Sequence, residues 1–288
     1  MNDMSWIDRQ EYPFASHYLD LAAGRMHFVD EGQGQPILML HGNPTWSFLY
    51  RHIIKHLSPR YRCVAPDHIG FGLSDKPADW SYQPADHVQN IVELVEHLGL
   101  RDLTIVVQDW GGPIGMAYAL QQRANVRRLI ILNTWCWPVN RDLYYIAFSS
   151  AMGGVIGRWL IRRYNYFVTG VMRRWFGDSR LLTPEIHRHY LQPLARPEDR
   201  KGCMEFPRQI IAASPWLDSL WSRRGELQGL PVLLAWGMKD MAFRRSELAR
   251  WQELFPEAEV VEFAQAGHFV QEEAPQELNA AVDRFLAH

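Results

Sequence analysis

Asp109 closes a β-branched, apolar run, Thr104-Ile105-Val106-Val107-Gln108, and is followed at once by Trp110-Gly111-Gly112 and a helix-like segment. A strand, a tight turn and a helix with one polar residue at the apex is an arrangement that lifts a nucleophile above a sheet and sets it beside a helix N-terminus. Free N–H groups and the macrodipole there favour a carboxylate over its protonated form. Asp109 is therefore expected to be ionised and nucleophilic. An aspartate at this place also suits an ordinary helix cap, and residue 107 is valine rather than the first glycine of the G-x-S-x-G form. A serine hydrolase would carry serine where Asp109 stands.

Three further groups weigh on that choice by the company they keep. His41-Gly42-Asn43-Pro44 follows the apolar run 37–40, at the carboxyl end of an expected central strand, the edge where open α/β sheets bind ligands. The His-Gly pair supplies a turn without bulk that aims the Asn43 amide into a crevice, although Asn-Pro is also a plain turn signal. Ala266-Gly267-His268 follows the last expected strand, and Trp236-Gly237-Met238-Lys239-Asp240 follows the run 232–235. Nucleophile, acid and histidine then occur in an order compatible with a triad, in which Asp240 accepts a hydrogen bond from His268 and fixes its tautomer. The chemistry this points to is displacement by Asp109, with His268 as the base.

Positioning these groups requires a sheet. Residues 17–22 and 26–31 alternate polar and apolar around Ala23-Gly24-Arg25, which predicts a hairpin of two antiparallel edge strands. Short apolar runs at 37–40, 63–65, 103–107, 129–132, 232–235 and 259–263 are mostly separated by helix-length segments, with helices expected over 85–98, 111–123, 246–254 and 276–286. That rhythm predicts a mostly parallel sheet with helices on both faces. It breaks between Trp135 and about Leu230, where aromatics such as Trp159, Tyr164, Phe167, Trp175 and Phe176 lie at helical spacing. Arg158, Arg162, Arg163, Arg173 and Arg174 share this stretch and are expected to be solvated or to meet another subunit. The expected organisation is one core, 1–134 and 231–288, with a helical cap inserted at 135–230.

Composition narrows the setting. The chain has 288 residues, 47% hydrophobic and 22% charged, with a formal net charge of −2, so its overall field gives no reason to expect nucleic acid or an anionic membrane as partner. The three cysteines, Cys63, Cys136 and Cys203, form no CxxC and predict neither a disulfide framework nor a zinc site. Residues 1–14 carry Asp3, Asp8, Arg9 and Glu11 without an apolar leader core, which predicts a cytoplasmic protein.

The motifs together resemble the haloalkane dehalogenases of the α/β-hydrolase superfamily. The likeness rests on His41-Gly42-Asn43-Pro44-Thr45-Trp46, Asp67-His68-Ile69-Gly70-Phe71-Gly72-Leu73-Ser74-Asp75-Lys76-Pro77, Gln108-Asp109-Trp110-Gly111-Gly112-Pro113-Ile114-Gly115 and Gly267-His268-Phe269, and runs over nearly the whole chain apart from a loosely matching cap. It implies an α/β-hydrolase fold, with an eight-stranded, mostly parallel sheet under a helical cap. It also implies Asp109 as nucleophile, His268 as base, and Trp110 with Asn43 as the halide-holding pair. The substrate implied is a small haloalkane, the products an alcohol, a halide ion and a proton, with no cofactor and no metal. Asn133-Thr134-Trp135 offers no carboxylate after the sixth strand, leaving Asp240 as the third member. Asp240 with Asn43 is similar to the branch of the family whose members tend to self-associate, so a homo-oligomer is compatible.

Two other readings use the same scaffold. An epoxide hydrolase shares the Asp/His pair but needs cap tyrosines to protonate the epoxide oxygen, and Tyr144, Tyr145, Tyr164, Tyr166 and Tyr190 are available. Against it, that family usually has an aromatic residue at the Asn43 position. A ligand receptor on a hydrolase fold would keep the pocket with little turnover; a luciferase of this scaffold finds no support in the residues.

Overall fold

A computed structural model describes residues 4–288; residues 1–3, which include Asp3, lie outside the described residues. Its frame is an eight-stranded sheet of β1 (His17–Leu21), β2 (Gly24–Glu31), β3 (Pro36–Leu40), β4 (Arg62–Pro66), β5 (Leu103–Val107), β6 (Val126–Leu132), β7 (Val232–Gly237) and β8 (Glu259–Phe263). The spatial order is β1-β2-β4-β3-β5-β6-β7-β8. All pairings from β4 through β8 are parallel, and β2 runs against both its neighbours.

The expected hairpin forms, but only β1 is an edge strand; β2 lies inside the sheet, between β1 and β4. Burial gives the reason. Met26, His27, Phe28 and Val29 are all buried in β2, whereas β1 has no buried residue. A strand with four successive buried side chains needs neighbours on both edges and cover on both faces.

The central strand β5, Leu-Thr-Ile-Val-Val, is buried at every position, as expected for a parallel strand sandwiched by helices. Those helices are α1 (Arg51–Leu57), α2 (Pro84–His97), α3 (Gly111–Gln121), and, after a helical stretch between β6 and β7, α10 (Arg245–Leu254), α11 (Val270–Glu273) and α12 (Pro275–Leu286). Pro84 and Pro275 open their helices in the first turn, where the missing N–H costs nothing. The intervening stretch contains α4 (Leu143–Gly153), α5 (Val155–Tyr164), α6 (Arg173–Trp175), α7 (Pro184–Leu191), α8 (Lys201–Ala212) and α9 (Ser214–Ser222), and no strand among the described residues.

Strand register brings the chemical residues together. Leu40 pairs with Val107 and Gly237 with Phe263, so the loops carrying His41–Asn43, Gln108–Trp110, Asp240 and His268 all leave the sheet at its carboxyl edge. The helical stretch is tied down over that edge by backbone and side-chain hydrogen bonds. His268 N–H donates to the Trp175 carbonyl at 2.9 Å, Trp46 Nε1 donates to the His189 carbonyl at 2.9 Å, and the Glu273 carboxylate accepts from Gly177, Asp178 and Gly267.

Candidate active site

Asp109 sits at a turn with φ of +49°, a left-handed conformation that costs a non-glycine residue roughly 1–3 kcal/mol. Three bonds hold it there: Asp109 N–H to the Asn133 carbonyl at 3.0 Å, Gly111 N–H to the Gln108 carbonyl at 2.9 Å, and Thr134 Oγ1 to the Asp109 carbonyl at 2.5 Å. The approach of the strands leaves no space for side chains at two neighbouring positions. A Cβ on Gly42 would fall 2.1 Å from Asp109 Oδ1, and one on Gly111 would fall 2.0 Å from the Leu40 carbonyl oxygen.

The carboxylate is cradled on one oxygen and open on the other. Oδ1 accepts the Asn43 backbone N–H at 2.7 Å, and the Trp110 backbone N–H also bonds the group. Oδ2 faces His268 Nε2 at 3.9 Å, beyond hydrogen-bond length. Burial pushes the Asp109 pKa upward, and the His268 charge with the Asn43 and Trp110 amides pulls it back only in part. The net direction is opposite to that expected from the helix N-terminus alone: desolvation outweighs the dipole. A poorly solvated carboxylate is also a more reactive nucleophile than a hydrated one.

His268 is fully buried, and its Nδ1 lies 2.9 Å from Asp240 Oδ2, while the other Asp240 oxygen accepts the Ala242 N–H at 2.6 Å. Burial lowers the basicity of the imidazole, but the Asp240 charge and hydrogen bond more than offset this, so its pKa lies above the ordinary 6.5. Asp240 thus stands where the sequence places it, and the turn after β6 carries Asn133 and Thr134, which brace β7 and the elbow instead. Gln108, to which sequence reasoning attached no role, has its amide nitrogen 2.7 Å from His268 Nε2. Only its place beside Asp109 marked it.

Asn43 and Trp110 are buried beside Asp109; Asn43 Oδ1 is buried without a partner, and neither the Asn43 side-chain amide nor the Trp110 indole N–H donates a hydrogen bond among the described residues. Trp110 is fixed by rings: Trp135 meets it edge-on at 4.7 Å and Phe206 stacks at 5.1 Å. A narrow cavity opens on Asp109, lined from the core by Ala242 and Phe243 and from the stretch between β6 and β7 by Trp135, Tyr144, Tyr145, Phe148, Trp175 and Ile210. Among the described residues, Asp109 is the one carboxylate on an otherwise aromatic and aliphatic wall.

The two tyrosines that line the cavity have their hydroxyls committed to backbone. Tyr145 donates its hydroxyl to the Ala242 carbonyl at 3.1 Å and Tyr144 to the Met241 carbonyl, so both pocket-lining hydroxyls are turned to backbone. Tyr190 is bonded to Glu272, Tyr166 accepts from Arg174 and Tyr164 is exposed. The motif beginning at Asp67 is structural: its carboxylate takes His27 Nδ1 at 2.9 Å and the N–H groups of Ser47 and Leu73 at 2.8 Å each. All three cysteines are free and buried, and no group of metal-ligating side chains occurs among the described residues.

Residues 35–275 match the model of the alpha/beta hydrolase fold family. Haloalkane dehalogenase 2 of Mycobacterium tuberculosis (strain ATCC 25618 / H37Rv) is 44% identical over 281 residues, covering 96% of this chain and 97% of the relative. The chain belongs to the haloalkane dehalogenase family of α/β-hydrolases. Another relative, the cis-3-alkyl-4-alkyloxetan-2-one decarboxylase of Xanthomonas campestris pv. campestris, is 38% identical over 295 residues, covering 96% of this chain and 97% of its own length. The crystal structure of the haloalkane dehalogenase DatA from Agrobacterium tumefaciens C58 superimposes with a TM-score of 0.84 at 27% identity, over 95% of this chain and 96% of that one.

Proposed function

We propose that the protein hydrolyses small haloalkanes to an alcohol, a halide ion and a proton, through an alkyl ester on Asp109. The observation that carries this reading is the single carboxylate on an apolar cavity, with Oδ1 held by the Asn43 N–H and Oδ2 left free to attack. Displacement at an sp3 carbon needs an anionic nucleophile with little water around it and donors where halide charge develops. The Trp110 indole N–H and Asn43 amide, which donate to no group among the described residues, are the donors assigned to the halide. Water activated by His268 then attacks the ester; Asp240 stabilises the imidazolium and the Asn43 and Trp110 backbone amides hold the oxyanion. Asp109, His268 and Asp240 with an Asn43–Trp110 pair correspond to the Asp-His-Asp branch of the family, and 135–230 acts as its cap.

The experiment is bromide release from 1-bromobutane and 1,2-dibromoethane, beside styrene-oxide hydrolysis, with Asp109→Asn as control. Bromide that appears with the native protein and vanishes in the variant supports the reading; diol without bromide overturns it. Epoxide hydrolysis is disfavoured by the Tyr144 and Tyr145 hydroxyls being committed to carbonyls.

One second reading has an observation behind it, the decarboxylase relative at 38% identity over nearly the full chain. Asp109 attack on the oxygen-bearing ring carbon of an oxetan-2-one would open the ring to a carboxylate. Loss of CO2 with expulsion of Asp109 would leave an alkene, with no water consumed. Alkene and CO2 from a cis-3,4-dialkyloxetan-2-one, with no bromide from either haloalkane, would favour it.

A further inference from the structure

His268 meets two side chains on opposite ring nitrogens, and only one of them, Asp240, belongs to the triad. The other is Gln108, whose amide nitrogen is 2.7 Å from Nε2 and 3.3 Å from the His268 carbonyl oxygen. Both residues are fully buried, and Gln108 Oε1 has no partner. The amide orientation follows from these contacts: turned over, Oε1 would face the His268 carbonyl, oxygen against oxygen, whereas as placed the NH2 group serves both acceptors.

This arrangement constrains the proton. Asp240 takes the Nδ1–H, leaving the Nε2 lone pair, and an NH2 group has only donors to offer it. Gln108 can therefore bond Nε2 only while the imidazole is neutral. That lone pair is the same one that must receive a proton from water, and with an amide at 2.7 Å it is occupied. It is also the atom that, once protonated, would pair with Asp109 Oδ2 at 3.9 Å.

We propose that Gln108 is a positioning residue that holds His268 neutral and away from Asp109 while the nucleophile attacks, and releases Nε2 for the hydrolytic step. Its action has two stages. Before alkylation, the amide donates to Nε2, so Asp109 keeps an unpaired oxygen for displacement. After the ester forms, water displaces the amide from Nε2 and the base takes the water proton, while the amide keeps its bond to the His268 carbonyl. No group is lost or gained by Gln108 in either stage; it only gives up its bond to Nε2. This rests on Asp109 and His268 being nucleophile and base, but its first test does not need turnover.

The test uses two variants, Gln108→Met, which keeps the bulk and removes the donor, and Gln108→Glu, which replaces donor with acceptor. In substrate-free protein labelled with 15N-histidine, the His268 ring nitrogens report tautomer and protonation across pH. Loss of a donor to the neutral form should move the His268 midpoint up by about half a unit or more in Gln108→Met, and further in Gln108→Glu. Rapid-quench kinetics with 1-bromobutane should then show alkylation slowed most in Gln108→Met, where a charged His268 has no partner at Nε2 and pairs with Asp109, and the acid limb of ester hydrolysis moved upward in both. An unchanged His268 titration in two folded variants overturns the proposal whatever the enzyme's substrate. Absence of bromide release with a shifted titration instead strikes the haloalkane reading and leaves the role of Gln108 standing.

Discussion

The two walls of the cavity are built on different principles. On the sheet side, each functional group is fixed by hydrogen bonds: Asp109 by a left-handed turn and three bonds, its Oδ1 by the Asn43 amide, His268 by Asp240 and by its own N–H to Trp175. On the helical side, Phe148, Trp175 and Ile210 offer only apolar surface, and the two tyrosine hydroxyls there are spent on carbonyls. The lesson is a division of labour. Chemistry needs atoms held within tenths of an ångström and rests on strand register; selection needs only shape and rests on side chains that can be exchanged. Substitutions on the sheet side should therefore change rate constants by orders of magnitude, and substitutions on the helical side should change mainly apparent affinity.

The largest break is expected at the base pair. His268→Phe should cut steady-state turnover to below about a thousandth while leaving alkylation, so the intact protein gains the mass of the alkyl group; a protein that turns over normally would remove His268 as base. Asp240→Asn should lower hydrolysis by roughly 10²–10⁴ and alkylation far less. The same variant sets the pH dependence. Because burial depresses the imidazole and Asp240 raises it, the native acid limb should lie above pH 6.5 and activity should fall as His268 is protonated below it. Removing the Asp240 charge should move that limb downward, and a limb that stays in place would mean that another group titrates.

A smaller effect is expected where the sheet side meets the leaving group. Trp110→Leu and Asn43→Ala each remove one N–H donor to an anion, a bond worth about 1.5–3 kcal/mol, so bromide affinity should weaken by tenfold or more in each. Quenching of tryptophan fluorescence by bromide reads this in the Asn43 variant, and competition by bromide against turnover reads it in both. Unchanged affinity in both would dissolve the halide assignment while leaving the nucleophile untouched.

The same division explains what could be read from the sequence. Strands 103–107 and 259–263 are found at the expected bounds, and helices 85–98 and 246–254 begin within a residue of expectation, because burial on both faces or one face writes itself into periodicity. Asp109, Asn43, Asp240 and His268 converge because each follows a strand whose position in the sheet is set by that pattern. The place of β2 was not legible: a hairpin's alternation does not say which of its strands meets the sheet. Nor was Gln108, since a residue beside a nucleophile points by turn geometry, and the left-handed Asp109 settles that only in three dimensions. On the helical side, Tyr144 and Tyr145 looked like candidate acids in sequence, and their hydroxyl partners, Met241 and Ala242, lie about a hundred residues away.

The smallest expected effect is the sharpest test of the division. Phe148 lines the cavity from α4, half-buried, with Trp175 tilted against it at 5.4 Å and Phe167 edge-on at 6.3 Å. Its link to the catalytic groups runs only through Trp175, whose carbonyl takes the His268 N–H, so Phe148→Ala chiefly removes apolar contact felt equally by bound substrate and transition state. Contact worth about 1 kcal/mol should raise KM for 1-bromobutane about fivefold with kcat nearly unchanged, and bromohexane should lose less because the space vacated admits its longer chain. Loss of such uniform binding cannot alter the chemical step. A fall in kcat of tenfold or more, in a variant that remains folded, would show that the helical wall positions the reacting atoms and that the two sides are not separable.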